Sequence, residues 1–289
     1  MCPRVEEGLM TRREFGAVAA AGVWANQAQP ITVKDVMERV QQNLGIPWGG
    51  NGQDTIKAGT PETPVTGIAT TYMPTLDVLQ RAAAARKNLI ITHEPTFYNY
   101  SDQTAHLSED AVYLRKKDVI EKNRLVIWRF HDHWHARKPD AMIIGLAKAL
   151  GWENYKSSDD WRMYTMPETT LAALAAEVER KMQVKALRVI GDPKARFRKV
   201  VLYPGLSAPT IAAKMEPDFE VYVGGESTEN DGGAYARDMV TAGLKKGMIL
   251  MGHQVSEEPG MKECAEWLKT FIREVPVAWI PAGEGWWRP

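Results

Sequence analysis

The run Leu89-Ile90-Ile91-Thr92-His93-Glu94-Pro95 sets a short apolar, β-branched stretch directly against an imidazole and a carboxylate. Such a run, stopped by proline, predicts a buried strand with polar chemistry at its end. The same alternation extends to either side. Upstream, Val65–Tyr72 predicts a strand and Thr75–Arg86 a helix; downstream come a helix over about 109–122, a strand at Leu125–Phe130 and a helix over about Pro139–Leu150. The second half continues with helix Thr170–Met182, strands Val200–Tyr203 and Glu220–Val223, a helix from about Ala234 to Lys246, strand Met248–Met251, helix Met261–Arg273 and strand Val277–Ile280. At the front, Thr32 caps a helix that carries Val33, Val36, Met37, Val40 and Leu44 on one face and closes at Gly45, and residues 45–64 are a loop rich in Gly, Pro and Asn. Strands alternating with helices predict a layered α/β architecture with mixed sheets, in two lobes of similar rhythm over roughly 29–160 and 161–289.

Bulk composition narrows the function. With 289 residues and 44% hydrophobic content the chain can bury a substantial core. Its 36 basic residues balance 36 acidic ones, which speaks against nucleic acid and anionic membranes as partners. Two cysteines, Cys2 and Cys264, are too few for a disulfide framework or a thiolate zinc site. Thr11-Arg12-Arg13-Glu14-Phe15, followed by a mildly apolar run from Gly16 to Ala25, resembles a twin-arginine export signal. On that reading residues 1–28 are removed, Met10 is an alternative start, and the mature protein, 29–289, is periplasmic; the alternative is an amphipathic N-terminal helix on a cytoplasmic protein. The apolar run is too short to span a bilayer, so no stable membrane insertion is expected.

The histidines are not scattered. Of the six, five directly follow three predicted strands: His93 after Leu89–Thr92, His131, His133 and His135 after Leu125–Phe130, and His253 after Ile249-Leu250-Met251-Gly252. Strand ends of open α/β sheets face the crevice where ligands bind, so three distant segments can meet there. Each segment brings more than one donor. Glu94 adjoins His93, Glu257 stands four residues beyond His253 and shares its face on a helix, and His131 and His135 converge whether extended or helical. Imidazole with carboxylate and without thiolate suits zinc, manganese, iron or nickel. His133 and Asp132 are expected to orient a ligand rather than to be ligands.

Three motifs carry a family resemblance: Ile91-Thr92-His93-Glu94-Pro95, His131-Asp132-His133-Trp134-His135 and Gly252-His253-Gln254-Val255-Ser256-Glu257. With Tyr222-Val223-Gly224-Gly225-Glu226, they resemble the Nif-three-like dinuclear metal family, whose members are often labelled GTP cyclohydrolase I type 2-like. The likeness runs from about residue 32 to the C-terminus. It implies the Nif-three-like fold with a central metal cleft, a toroidal homohexamer, and two divalent ions held by two adjacent histidines, an aspartate, a histidine and a glutamate. Carried onto this chain, the ligands are His93, Glu94, His135, His253 and Glu257. Two positions depart from the pattern, because Glu94 stands for the second histidine of the pair and His135 for the aspartate. The departures exchange a carboxylate and an imidazole while conserving the inventory.

The expected activity is hydrolysis of a small molecule by a metal-activated water, with Glu226 as candidate general base. The chain contains no Walker loop and no Gly-x-Gly-x-x-Gly opening a helix, so nothing independent supports a nucleotide substrate. The competing expectation is a metal-binding scaffold without turnover.

Overall fold

The computed structural model describes Met1, residues 30–49 and residues 52–287. The export signal expected within residues 1–28 lies outside them. From Ile31 onward the chain forms one unit built on two five-stranded sheets.

Helix α1 (Val33–Leu44) forms where the spacing predicts it. Thr32 Oγ1 accepts from the Asp35 amide at 3.2 Å while Asp35 Oδ2 accepts from the Thr32 amide at 2.8 Å, a reciprocal capping box. Gly45 ends the helix at φ 75°, a left-handed conformation that glycine adopts without steric cost. Strands β1 (Ile56–Ala58), β2 (Ile68–Thr71), β3 (Leu89–Thr92), β4 (Val126–Arg129) and β10 (Val277–Trp279) make the first sheet, in the order β1-β4-β3-β2-β10. All pairs are parallel except β1 with β4. Residues of β2, β3 and β4 are buried throughout, as befits a parallel sheet covered on both faces. One cover is α2 (Leu76–Ala84) with α3 (Ala111–Lys122), which pack Val78, Leu79, Val119 and Ile120 onto Ile90 and Ile127. The other face, which presents Ile68, Leu89, Ile91 and Trp128, meets α1 and the last helix of the chain.

The second sheet has the order β5-β7-β8-β9-β6, from β5 (Met163–Thr170), β6 (Arg188–Ile190), β7 (Arg196–Leu206), β8 (Val221–Glu226) and β9 (Gly247–Leu250). Its centre is parallel and its two edges antiparallel. α6 (Leu171–Met182) packs on one face, α7 (Pro209–Met215) and α8 (Ala234–Thr241) on the other.

Two helices fill the space between the sheets. α5 (Ala141–Leu150) gives Ala141 and Met142 to the first core and Ile143, Leu146 and Leu150 to the second. α9 (His253–Lys269) packs against β2 and β10 on one side and β7 and β8 on the other. The pair cross where Gly145 faces Gly260, so closely that a Cβ on Gly145 would lie 2.5 Å from the Gly260 nitrogen.

The structure corrects the sequence reading in several places. The helix expected over Met261–Arg273 starts already at His253 and runs through Pro259. A proline inside a helix forfeits one hydrogen bond, and the sequence signal of Pro259-Gly260 is a stop; here packing between two sheets outweighs it. Strands β1, β5 and β6, helix α7, and a five-residue helix α4 (Asp132–Ala136) were not expected. The residue-160 boundary separates β1–β4 from β5–β9, whereas β10 returns to the first sheet. Among the described residues no helix is long and apolar enough to cross a membrane.

Candidate metal centre

The ends of β3 and β4 deliver their histidines to one point. His93 leaves β3 with its amide bonded to Thr71 O at 3.1 Å, and Glu94 follows with its amide on Tyr72 O at 2.8 Å, so both are held as a continuation of the sheet. After β4 the chain turns into α4, which places His131 and His135 on one side, His135 N bonding His131 O at 3.1 Å. A helix this short lacks partners for its leading amides. Buried Asp54 supplies them: its Oδ1 accepts from the amides of His131 and Asp132 at 2.6 and 2.9 Å, and its Oδ2 from that of His133 at 2.9 Å. From the other side, α9 opens with His253 and presents Glu257 one turn on.

The donors converge. Single ligand atoms of His93, His131 and His135 lie within 4.8 Å of one another, and so do those of His93, Glu94 and Glu257. Glu257 Oε2 is 3.4 Å from His93 Nε2 and 3.1 Å from His253 Nε2, and Oε1 is 3.6 Å from His135 Nε2. Glu94 Oε1 is 3.6 Å from His253 Nε2 and 3.8 Å from His131 Nε2. Gly205 makes room for the bridging carboxylate, since a Cβ there would come within 2.4 Å of Glu257 Oε1.

Carboxylates also stand behind the rings. Asp132 Oδ1 meets His131 Nδ1 at 2.8 Å, Asp140 Oδ2 meets His135 Nδ1 at 3.0 Å, and Glu226 Oε2 meets His253 Nδ1 at 3.2 Å. Each carboxylate can only accept, so the outer nitrogen donates to it and Nε2 is the atom turned inward, an arrangement typical of metal-ligating histidine. Arg129, fully buried, ties the cluster together from below. It donates to His93 O at 3.1 Å and to Tyr100 O at 2.6 Å, and its Nη2 reaches Glu94 Oε2 at 3.4 Å.

Charge in the cluster is strongly coupled. Burial pushes His93 and His131 below the usual histidine value, the latter helped by His93 beside it. Burial also works against charge on His135 and His253, yet Asp140 raises His135 and Glu257 drives His253 up to about 9. Glu257 is nearly inaccessible, which opposes its charge, but His93 and His253 hold it well below the ordinary glutamate value. His93 also has no hydrogen-bond partner on either ring nitrogen although it is fully buried. Unmet polar atoms are rare in protein interiors. A divalent cation among these Nε2 and carboxylate atoms would satisfy His93 and neutralise the two acids, so the residues present fit the ions that the sequence resemblance implies.

All five expected ligands, His93, Glu94, His135, His253 and Glu257, thus meet at one locus. Glu226 stands at its edge, half exposed. Asp132 orients His131 as expected, whereas His133 does not face the cluster: its Nδ1 pairs with Asp54 at 2.6 Å, its Nε2 accepts from Gly49 N, and its ring stacks on Trp48. The sequence reading left His131 out of the ligand set, though its place directly after a strand was the same signal that picked out His93. Asp140, within the first turn of the helix expected over about Pro139–Leu150, is in fact its N-cap, a position open to sequence reading; Asp54, in a glycine-rich loop distant in sequence, gives no signal.

The cluster opens on a cavity of about 970 Å³, whose walls include Tyr72, Glu94, Arg188, Glu226, His253 and Trp286. Its volume is at the upper end of the range for small-molecule sites.

The profile of the family described as Duf34/NIF3 (NGG1p interacting factor 3) matches residues 31–282. No curated protein matches the chain by sequence. Among solved structures, Staphylococcus aureus protein SA1388 superposes with a TM-score of 0.70 at 15% identity, covering 90% of this chain and 100% of that one. A Bacillus cereus protein related to NIF3 gives 0.70 at 15% identity, over 88% and 97%. Reduced HcgD from Methanocaldococcus jannaschii gives 0.55 at 17% identity, over 87% and 97%. At these identities the likeness shows the fold alone.

Proposed function

The chain belongs to the Duf34/NIF3 family, and on that premise we propose that it is a metal-dependent hydrolase of a small molecule, with two divalent ions held by His93, Glu94, His135, His253 and Glu257. The observation that carries this reading is the convergence of inward Nε2 atoms and two carboxylates beside a large cavity that Glu94 and His253 line. Bound divalent ions would supply Lewis acidity and lower the pKa of water toward neutrality.

The protein's own groups do the rest. Arg129 and the β3 backbone keep Glu94 in place, and Asp140 and Glu226 keep His135 and His253 turned inward. Tyr72, Met251, Val255 and Trp286 give the cavity apolar wall that can hold the body of a substrate, and Arg188 adds one cation. Glu226 both touches His253 Nδ1 and lines the cavity, so its carboxylate can take a proton from attacking water and return it to a leaving group.

The test is a screen of phosphoesters, cyclic amides and nucleotides with metal-loaded protein, followed by Glu226→Gln on whatever is turned over. The variant is expected to keep its ions by elemental mass spectrometry while turnover falls by about 10²-fold or more, the usual scale for a lost acid–base group. Loss of the ions instead would make Glu226 a structural support of His253. Full metal content with no turnover of any class would favour a metal-binding scaffold.

A further inference from the structure

We propose that the two ion positions of this centre are chemically unlike, with His131 as an additional ligand: a nitrogen-rich position that selects a borderline ion such as zinc, and an oxygen-rich one that selects a harder ion such as manganese. The inference rests on the dinuclear reading above and extends it.

On one side stand three imidazoles. The ring centroids of His93, His131 and His135 are 4.4, 4.8 and 4.9 Å apart pairwise, and one nitrogen of each lies within 4.8 Å of the others. His131 and His135 have their outer nitrogens occupied by Asp132 and Asp140, so the inward atom of each is Nε2. Glu257 Oε1, 3.6 Å from His135 Nε2, completes three nitrogens and one oxygen. On the other side, His253 Nε2 is the imidazole contribution, with Glu257 Oε2 at 3.1 Å and Glu94 Oε1 at 3.6 Å, slightly nearer than the same oxygen is to His131 Nε2 at 3.8 Å. His93 also lies within reach of Glu94 and Glu257, yet even counted there it leaves the first position with two imidazoles of its own.

The two departures from the family pattern sharpen this contrast. His135 in place of an aspartate removes an oxygen from the first position, and Glu94 in place of a histidine adds one to the second. The exchange therefore sorts nitrogen to one end and oxygen to the other. Arg129 holds Glu94 Oε2, leaving Oε1 to face the imidazoles. Imidazole suits zinc, while carboxylate and water suit manganese, so ligand type separates the two ions where raw affinity alone would favour zinc everywhere.

The experiment supplies full-length, metal-free protein with one molar equivalent each of zinc and manganese. Expected is one of each retained after desalting, an isolated Mn(II) six-line spectrum by electron paramagnetic resonance, and no spin-coupled manganese pair. Competition with a chromophoric chelator is expected to show the first zinc bound at least tenfold tighter than the second. His131→Asn should weaken the first zinc at least tenfold and spare the manganese signal; Glu94→Gln should do the reverse, and circular dichroism checks that both variants fold. The wild-type spectrum decides the matter even if a variant does not fold. Two zinc ions of equal affinity, or a coupled manganese pair in the mixed sample, overturn the proposal and leave the hydrolase reading standing. Failure to bind any ion overturns both.

Discussion

Three imidazoles of the centre, His131, His135 and His253, are steered from behind by a carboxylate, and their surroundings decide their behaviour when no ion is bound. Against the opposing effect of burial, Glu257 on Nε2, with Glu226 on Nδ1, pushes His253 up to about 9. A folded-state value raised above the unfolded one, about 6.5, stabilises fully below the unfolded value and loses that contribution as pH climbs through the folded one. His135 is shifted the same way, while buried His93 and His131 are shifted down and act below 6.5 with opposite sign. Metal-free protein should therefore lose thermal stability between about pH 6.5 and 9, and a His253→Gln variant should lose less over that window. Melting curves at stepped pH read this, and a flat wild-type profile would contradict it. Glu257 acts in acid, where protonation on falling pH removes its contribution. The ligands were legible because they follow strands; their supports were not, because Asp54 and Arg129 act through contacts that no local pattern announces.

Elements too weak to stand alone carry much of the site. α4 has five residues, far short of an independently stable helix, and exists because Asp54 closes its N-terminus. α9 holds a proline and still delivers His253 and Glu257 in register, since its crossing with α5 leaves no space for a bend. Gly145→Ala would drive a methyl to 2.5 Å from the Gly260 nitrogen, which is backbone and cannot swing aside. The expected cost is about 3 kcal/mol or more, at the upper end for overpacked cores, together with weaker metal retention as α9 shifts. Urea denaturation and metal analysis of the variant check both, and wild-type values would show that the helices can separate. The elements that escaped the sequence reading share a physical reason. β5 contains Pro167 and alternates toward solvent, β1 and β6 have three residues each, and α7 is a single short excursion. Long periodic or fully apolar runs, such as α1 and β2 to β4, were read correctly because burial dictates their pattern.

Across the molecule, an ion bound at the centre would act as a clasp between the sheets: His93, Glu94, His131 and His135 come from the ends of β3 and β4, while His253 and Glu257 belong to the helix that packs on both sheets. Ions that bind only the folded chain stabilise it by mass action, about 1.4 kcal/mol per ion for each tenfold rise in free concentration above the dissociation constant. The melting temperature should climb with added zinc or manganese and fall on treatment with a chelator; independence of both would mean that the clasp is not used. The return of β10 to the first sheet has a further consequence, in time rather than space. β2 is translated early but its neighbour on one side, β10, arrives only when residues 277–279 have been made. A growing chain thus carries the first sheet with one edge open through the synthesis of all five strands of the second. Of the cluster, only His93, Glu94, His131 and His135 exist until residues 253–257 are made, so the centre, like the first sheet, is completed late in synthesis.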